Sequence, residues 1–371
     1  QQYPALRDWR GVRELHDALI RLVGADRSCQ VLLANRTAQL VRLAARQLCA
    51  NTRRVLVADL MWPSYRQILE FERQRRRVGI STVSARSAVR DGEDATETIV
   101  ARFERNYDCM GCDSQFIPVI SYDGIRLPVD TICRRLNQIR PLRFVVVDGA
   151  QALGHVTGDL GLKHCDIFVA GCHKWLQGHL PMGVAFYPNT LSADNTLAAA
   201  ERMLRYSELD DPLLAFTREI MTGRTQSYSE TVNLASLFTC RAAITDRGST
   251  PGEIKRQFVN RLQNADRVAK IASDAGWSAL PQLMPTGIVM LQTNCPAFSK
   301  ASPEWIRRFF AVLSVSVSTY EGGIIRLAMP ARPFTRGELD LLAWALRHGR
   351  FDEADVKAST WSGGIAVAEV A

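Results

Sequence analysis

The stretch Phe144-Val145-Val146-Val147-Asp148-Gly149 decides the fold, read with a second run, Asp166-Ile167-Phe168-Val169-Ala170, and the block Gly171-Cys172-His173-Lys174-Trp175 behind it. Each run is short, continuous and apolar, the pattern of a strand covered on both faces in a parallel or mixed sheet. A carboxylate at the end of such a strand is costly unless a cation meets it. Two successive strand ends thus deliver Asp148 and Lys174 to one rim of one sheet. Spacing alone leaves two readings open, a structural Asp–Lys ion pair and a reactive one.

Outward from this pair the same grammar repeats. Gln30–Ala34, Arg54–Asp59, Phe116–Ser121 and Gly183–Tyr187 read as further strands. Helical patterns over Thr37–Ala50, Ser64–Arg76 and Val129–Gln138 separate them. The expected class is α/β, with ligands bound outside the carboxyl ends of the strands. From Leu197 to Ala243 the pattern is mostly helical. Thr245-Asp246-Arg247-Gly248-Ser249-Thr250-Pro251-Gly252 is rich in turn formers and marks the expected boundary between a large domain, 1–247, and a smaller α+β domain, 248–371. In the latter, helices are expected over Gly252–Ala275 and Thr335–Arg347, and strands over Gly287–Gln292 and Ile324–Ala328. The first ~14 residues are allowed to join the smaller domain.

Composition narrows the class. A chain of 371 residues with 47% hydrophobic content is long enough for two cores, and no apolar run nears the ~18 residues of a membrane span. No signal peptide opens it, although a start at Gln1 rather than Met leads us to expect that natural N-terminal residues are missing. Nine scattered cysteines suit a reduced, cytoplasmic protein. Cys109 and Cys112 form a lone CxxC pair with no second pair at zinc spacing, so no metal is expected. The net charge of +8 comes from 40 Arg and six Lys interleaved with acids. The cluster Arg73–Arg77 reads as the solvated end of a helix, and no nucleic-acid partner is expected. Lysine is scarce enough for each buried-looking one to be informative.

The blocks Val147-Asp148-Gly149-Ala150-Gln151-Ala152-Leu153-Gly154-His155, Cys165-Asp166 and His173-Lys174-Trp175-Leu176 closely resemble the class V aminotransferases. That family includes cysteine desulfurases and isopenicillin-N-epimerase-like proteins, on the fold-type I scaffold of pyridoxal 5'-phosphate (PLP) enzymes. The likeness extends, more weakly, from about residue 12 to about residue 347. It implies a large domain with a mostly parallel, mixed seven-stranded sheet flanked by helices, and a homodimer with its active site at the interface.

The resemblance also implies roles. Lys174 would carry PLP as a Schiff base and shuttle the substrate Cα proton. Asp148 would keep the pyridine nitrogen protonated, Gln151 would hydrogen-bond the ring's phenolic oxygen, and His173 would contact the phosphate. Thr37 and Ala38, where a strand gives way to a helix, match the family's phosphate loop and suit an anion; taken alone, such a threonine is an ordinary cap. Trp62 falls where the family sets an aromatic or His over the ring, although a core Trp reads equally plainly. Asp123 occupies a position near the ring's oxygen. Thr225, with Arg224, would reach the neighbouring subunit's phosphate. Arg326, in Ile324-Ile325-Arg326-Leu327, would take the substrate carboxylate bidentately.

Three departures matter. Gly171 stands where many relatives have Ser, removing one phosphate hydroxyl. Gln177-Gly178-His179-Leu180-Pro181 replaces the common G-P-x-G turn, so His179 either lines the substrate pocket or decorates the turn. The family's N-terminal substrate segment is absent or very short. Residues 313–323 contain no cysteine where desulfurases carry theirs, which argues against persulfide chemistry. An aminotransferase acting on an amino acid or amino-acid conjugate, in specialised metabolism, is the leading expectation. A C–S (β-elimination) lyase or an epimerase is the alternative, and a non-catalytic scaffold or nucleic-acid-binding protein the outside one.

Overall fold

The computed structural model describes residues 11–92, 95–158, 160–188, 190–222, 231–246 and 250–348. In chain order the elements are α1 (Gly11–Val23), β1 (Gln30–Ala34), α2 (Thr37–Asn51), β2 (Arg54–Ala58), α3 (Pro63–Arg76), β3 (Gly79–Val83), α4 (Ala85–Arg90), α5 (Thr96–Cys109), β4 (Ser114–Pro118), α6 (Val129–Ile139), β5 (Val145–Asp148), β6 (Ile167–Gly171) and β7 (Gly183–Tyr187). There follow α7 (Thr190–Arg205), α8 (Pro212–Thr222), α9 (Ala235–Asp246), α10 (Pro251–Asp274), β8 (Trp277–Ala279), β9 (Ile288–Thr293), α11 (Pro296–Lys300), α12 (Pro303–Val312), β10 (Ser318–Tyr320), β11 (Ile324–Ala328) and α13 (Arg336–His348).

Strands β1 to β7 form one seven-stranded sheet in the order β1-β7-β6-β5-β4-β2-β3. Only β7 runs against its neighbours; the remaining pairings are parallel. Side chains alternate across a strand, so Val55, Val57, Val146, Ile167, Val169, Ala185 and Tyr187 share one face. There they pack with Leu40, Ala44 and Leu48 of α2 and Ala199 and Met203 of α7 in a single core cluster. Each buried Leu or Val stabilises this layer by roughly 1.5–3 kcal/mol. On the opposite face Phe168 and Phe186, paired in register, meet edge to face at 5.9 Å.

The register fixes the rim. Pro118 pairs with Asp148, Asp148 with Val169, Gly171 with Gly183, and Gly183 with Ala34. The carboxyl ends of β4, β5, β6 and β1 therefore lie in one row. β4 begins two residues earlier than its apolar content suggests, because buried Ser114 and Gln115 join the ladder to β2. β3, with Ser81 and Thr82 inside it, is an edge strand that lacks a continuous apolar run.

The chain divides into two compact units. One runs to Val259 and includes Pro281–Thr286; the other comprises Asn260–Leu280 and the chain from Gly287 onward. The division thus falls within the continuous helix α10 rather than at the turn-rich 245–252, which separates α9 from α10. Helix α1 belongs to the first unit and contacts α8 and α9. The second unit is built on a four-stranded antiparallel sheet, β10-β11-β9-β8, with Val268, Trp277, Phe298, Phe310, Ile325 and Leu346 in its core. Among the described residues no helix is long and apolar enough to cross a membrane.

Candidate active site

Asp148 closes β5 and is buried, its Oδ1 accepting from the Ala150 backbone N–H at 2.8 Å. Burial pushes its carboxyl up to about 6; the Ala150 hydrogen bond and the nearby Lys174 charge pull the other way. A carboxyl so placed gains from a cation delivered to it. Lys174 itself is exposed at the rim, as is His173. Partial burial, then the adjoining Lys174 charge, holds the His173 imidazole below its usual range.

The start of α2 meets this pair from the other side. Arg36 enters the helix in extended conformation, and no side chain caps its first amides. The N-terminus of a 15-residue helix, uncapped at the Thr37 and Ala38 end, suits an anion such as a phosphate. Thr37 is buried and its Oγ1 donates to the Ala170 carbonyl at 3.1 Å, tying the helix start to β6. A Cβ added at Gly171 would lie 2.9 Å from Thr37 Oγ1 and 3.2 Å from His173 Cε1. Both side chains therefore converge on the spot that a serine side chain at position 171 would need. The departure at Gly171 is the space that Thr37 and His173 occupy. Gly183 serves the same end, since a Cβ there would fall 2.7 Å from the Thr37 backbone.

Gln151 is buried, and its Oε1 accepts from the Trp175 indole N–H at 2.7 Å. His155 stacks on Trp175, centroids 3.6 Å apart and 16° from parallel. Gly154, in the left-handed region at φ 74°, brings these two segments together: a Cβ there would be 2.9 Å from Leu176 N. The replaced turn after the lysine is held by Gly178 N–H to the Cys172 carbonyl at 2.8 Å and by Leu180 N–H to Thr239 Oγ1 at 3.3 Å. His179 is exposed on it.

At the β2–β4 end of the rim the arrangement differs. Trp62 is 44% exposed and meets Tyr122 edge to face at 5.2 Å. It is therefore not a core tryptophan. Asp123 is buried and committed: Arg86, Arg90 and the Ser121 hydroxyl all bond to its carboxylate. The Arg86 guanidinium also lies 4.8 Å above the Tyr122 ring. Arg326 is half-buried on β11 of the second unit. Arg224 and Thr225 lie outside the described residues. Cys109 and Cys112 part company after α5, Cys109 exposed and Cys112 buried with its thiol pushed up to about 11 by burial.

Two features of the site go unread in the sequence. Asp211 accepts at both carboxylate oxygens from the Asn35 N–H, at 2.9 and 3.1 Å, and also from Leu214 N–H at 2.9 Å. Asp211-Pro212 is a plain helix-start signal, but its reach across 176 residues to the backbone just ahead of α2 is not. Tyr65, in the first turn of α3, is buried; desolvation and then the Asp148 charge raise its phenol, and a hydrogen bond with Thr37 opposes them.

No family model matches the chain. An isopenicillin N epimerase from Streptomyces clavuligerus is 28% identical over 176 residues, covering 47% of this chain and 42% of that protein. One of the same name from Amycolatopsis lactamdurans is 39% identical over 71 residues, covering 19% and 17%. The chain thus matches less than half the length of these curated relatives. A cysteine desulfurase from Thermococcus onnurineus superposes with a TM-score of 0.67 at 13% identity, over 91% of this chain and 83% of that one. An aspartate aminotransferase from Thermus thermophilus gives 0.65 at 13% identity, over 94% and 93%. The fold is that of the fold-type I PLP enzymes. Within that class the motif blocks at Asp148–Gln151 and His173–Lys174 resemble those of the class V aminotransferase-like family. The cofactor of that class is PLP, and the residues fit it: an uncapped helix start for the phosphate, and a buried carboxyl with raised affinity for protons near a lysine.

Proposed function

We propose that this chain binds PLP at the Asp148–Lys174 rim and acts at the Cα or Cβ of an amino acid or amino-acid conjugate, first of all as an aminotransferase. The observation that carries this reading is the buried Asp148 carboxyl, raised by its surroundings and in electrostatic reach of Lys174. Bound PLP supplies a pyridinium ring able to draw negative charge away from a substrate Cα. Asp148 keeps the ring nitrogen protonated. The Lys174 amine would anchor the cofactor and, when free, would move the substrate Cα proton.

The Thr37 and Ala38 amides, the Thr37 hydroxyl and the His173 imidazole hold the phosphate, with Thr225 contributing from a second copy in a homodimer. Trp62 would hold the cofactor ring through its exposed indole. Asp123 acts through Arg86 and Tyr122 rather than by contact, since two guanidiniums already occupy it. Arg326 is assigned to the substrate carboxylate, and His179 to the substrate side, on the family resemblance alone. Persulfide-forming desulfuration lies outside the proposal, because 313–323 offers no cysteine. The names of the two curated relatives favour epimerisation at Cα as a second reading.

Incubation with PLP should turn the purified protein yellow, and Lys174→Ala should abolish that visible absorbance. A colourless wild type that ignores PLP overturns the reading. A panel of amino acids then separates the reactions. Keto-acid formation that needs an amino acceptor marks transamination, and thiol or pyruvate release without one marks a lyase. Solvent deuterium at Cα without net product marks an epimerase.

A further inference from the structure

The Gln151 amide is not free to choose which end it presents. An indole N–H only donates, so the Gln151 atom 2.7 Å from Trp175 Nε1 has to be the carbonyl oxygen. That leaves the NH2, and never the carbonyl, to face an acceptor elsewhere. The indole is itself held. His155 stacks on it at 3.6 Å, and the His155 Nδ1 lies 2.8 Å from the Gln151 backbone carbonyl. Since a carbonyl only accepts, that Nδ1 carries a proton. Phe258 meets the far edge of His155 at 5.9 Å. The loop from Gln151 to His155 and the residue after Lys174 thus form one buried, mutually bonded unit.

We propose that Trp175 is a positioning residue that sets the ionisation of the bound cofactor by fixing the orientation of the Gln151 amide. The proposal rests on the reading that PLP lies at the Asp148–Lys174 rim. A donor at the ring's phenolic oxygen stabilises negative charge there, so that oxygen holds the neighbouring proton less tightly and the cofactor's chromophore titrates at lower pH. Without the indole N–H the amide is able to turn over and present its carbonyl to the same oxygen, removing the donor and adding repulsion. Loss of the indole N–H should therefore raise the titration midpoint.

The test is a pH titration of the visible absorbance of the holoprotein. Trp175→Phe, which keeps an aromatic ring on His155, should raise the midpoint by roughly one pH unit, the scale of one charge-assisted hydrogen bond. Gln151→Leu should raise it at least as far, and the double variant should sit at the Gln151→Leu value, because the two residues act in series. Benzothienylalanine at 175 keeps the indole's shape without its N–H and decides the matter if Trp175→Phe fails to fold. A midpoint unmoved by either change at 175, or a double variant whose shifts add in full, overturns the proposal in a protein that still turns yellow. A wild type that takes up no PLP overturns the reading beneath it as well.

Discussion

The two halves of the sheet rim solve the same electrostatic problem in opposite ways. After β4, the buried Asp123 is met by two guanidiniums and a hydroxyl supplied by the protein. After β5, the buried Asp148 receives one backbone N–H and the charge of a lysine, and its carboxyl rises to about 6. Buried carboxylates are costly unless paired. One half is complete without a ligand and acts as scaffold. The other is left under-compensated, and under the proposed function that deficit is the affinity it offers to a pyridinium.

The comparison breaks first at Asp123. Asp123→Ala strands the Arg86 and Arg90 side chains, 26% and 16% exposed, and should lower unfolding free energy by about 3 kcal/mol in denaturant titrations. A loss below about 1 kcal/mol would mean that the hub is ornamental. Asp148→Asn should behave in the opposite sense. It keeps an acceptor for Ala150 N–H while removing a costly charge, so the cofactor-free protein should be no less stable at neutral pH. PLP affinity, followed by absorbance, should fall on the order of 100-fold, about 2.7 kcal/mol.

A pH series sharpens the contrast further. The Asp148 carboxyl keeps its proton in the folded chain up to about 6, where the unfolded chain has already released it. Stability of the cofactor-free protein from this group should therefore decline as pH rises from about 4 to about 6. PLP affinity should climb through the same window as the carboxylate forms, by up to about tenfold per pH unit. Flat affinity from pH 5 to 7 would detach Asp148 from the cofactor. The smallest effect is expected at Asp211→Asn. It weakens the clamp on Asn35 ahead of the phosphate loop and should cost about 1 kcal/mol in PLP binding, with kcat for saturated enzyme little changed.

Much of this rim is legible from sequence because local chemistry writes it. Continuous apolar runs reveal β1, β2, β5, β6 and β7, and their ends bring Asp148 and Lys174 to one rim, while the roles proposed for these residues and for Thr37 come from the family resemblance. β3 escapes such a reading because it is short, half-polar and at the sheet edge. The Arg86–Asp123 pair and the Asp211–Asn35 clamp escape it because they join segments 37 and 176 residues apart, and no periodicity records such a contact. Asp123 shows the limit most clearly. The family pattern locates the residue, but its two arginine partners determine what its charge is available to do.

The crowding of Thr37 against Gly171 and Gly183 also constrains how this site changes over generations. A serine at position 171 would place its Cβ 2.9 Å from Thr37 Oγ1, so the Thr37 hydroxyl has to give way to admit it. A side chain at position 183 would meet the backbone of residue 37, which no rotamer relieves. The two glycines thus differ in kind: position 171 opens once the Thr37 side chain yields, and position 183 stays closed to any side chain. Grafting a relative's phosphate hydroxyl in at position 171 should therefore disturb the Thr37 bond to the Ala170 carbonyl, whereas any side chain at 183 should disrupt the start of α2 itself.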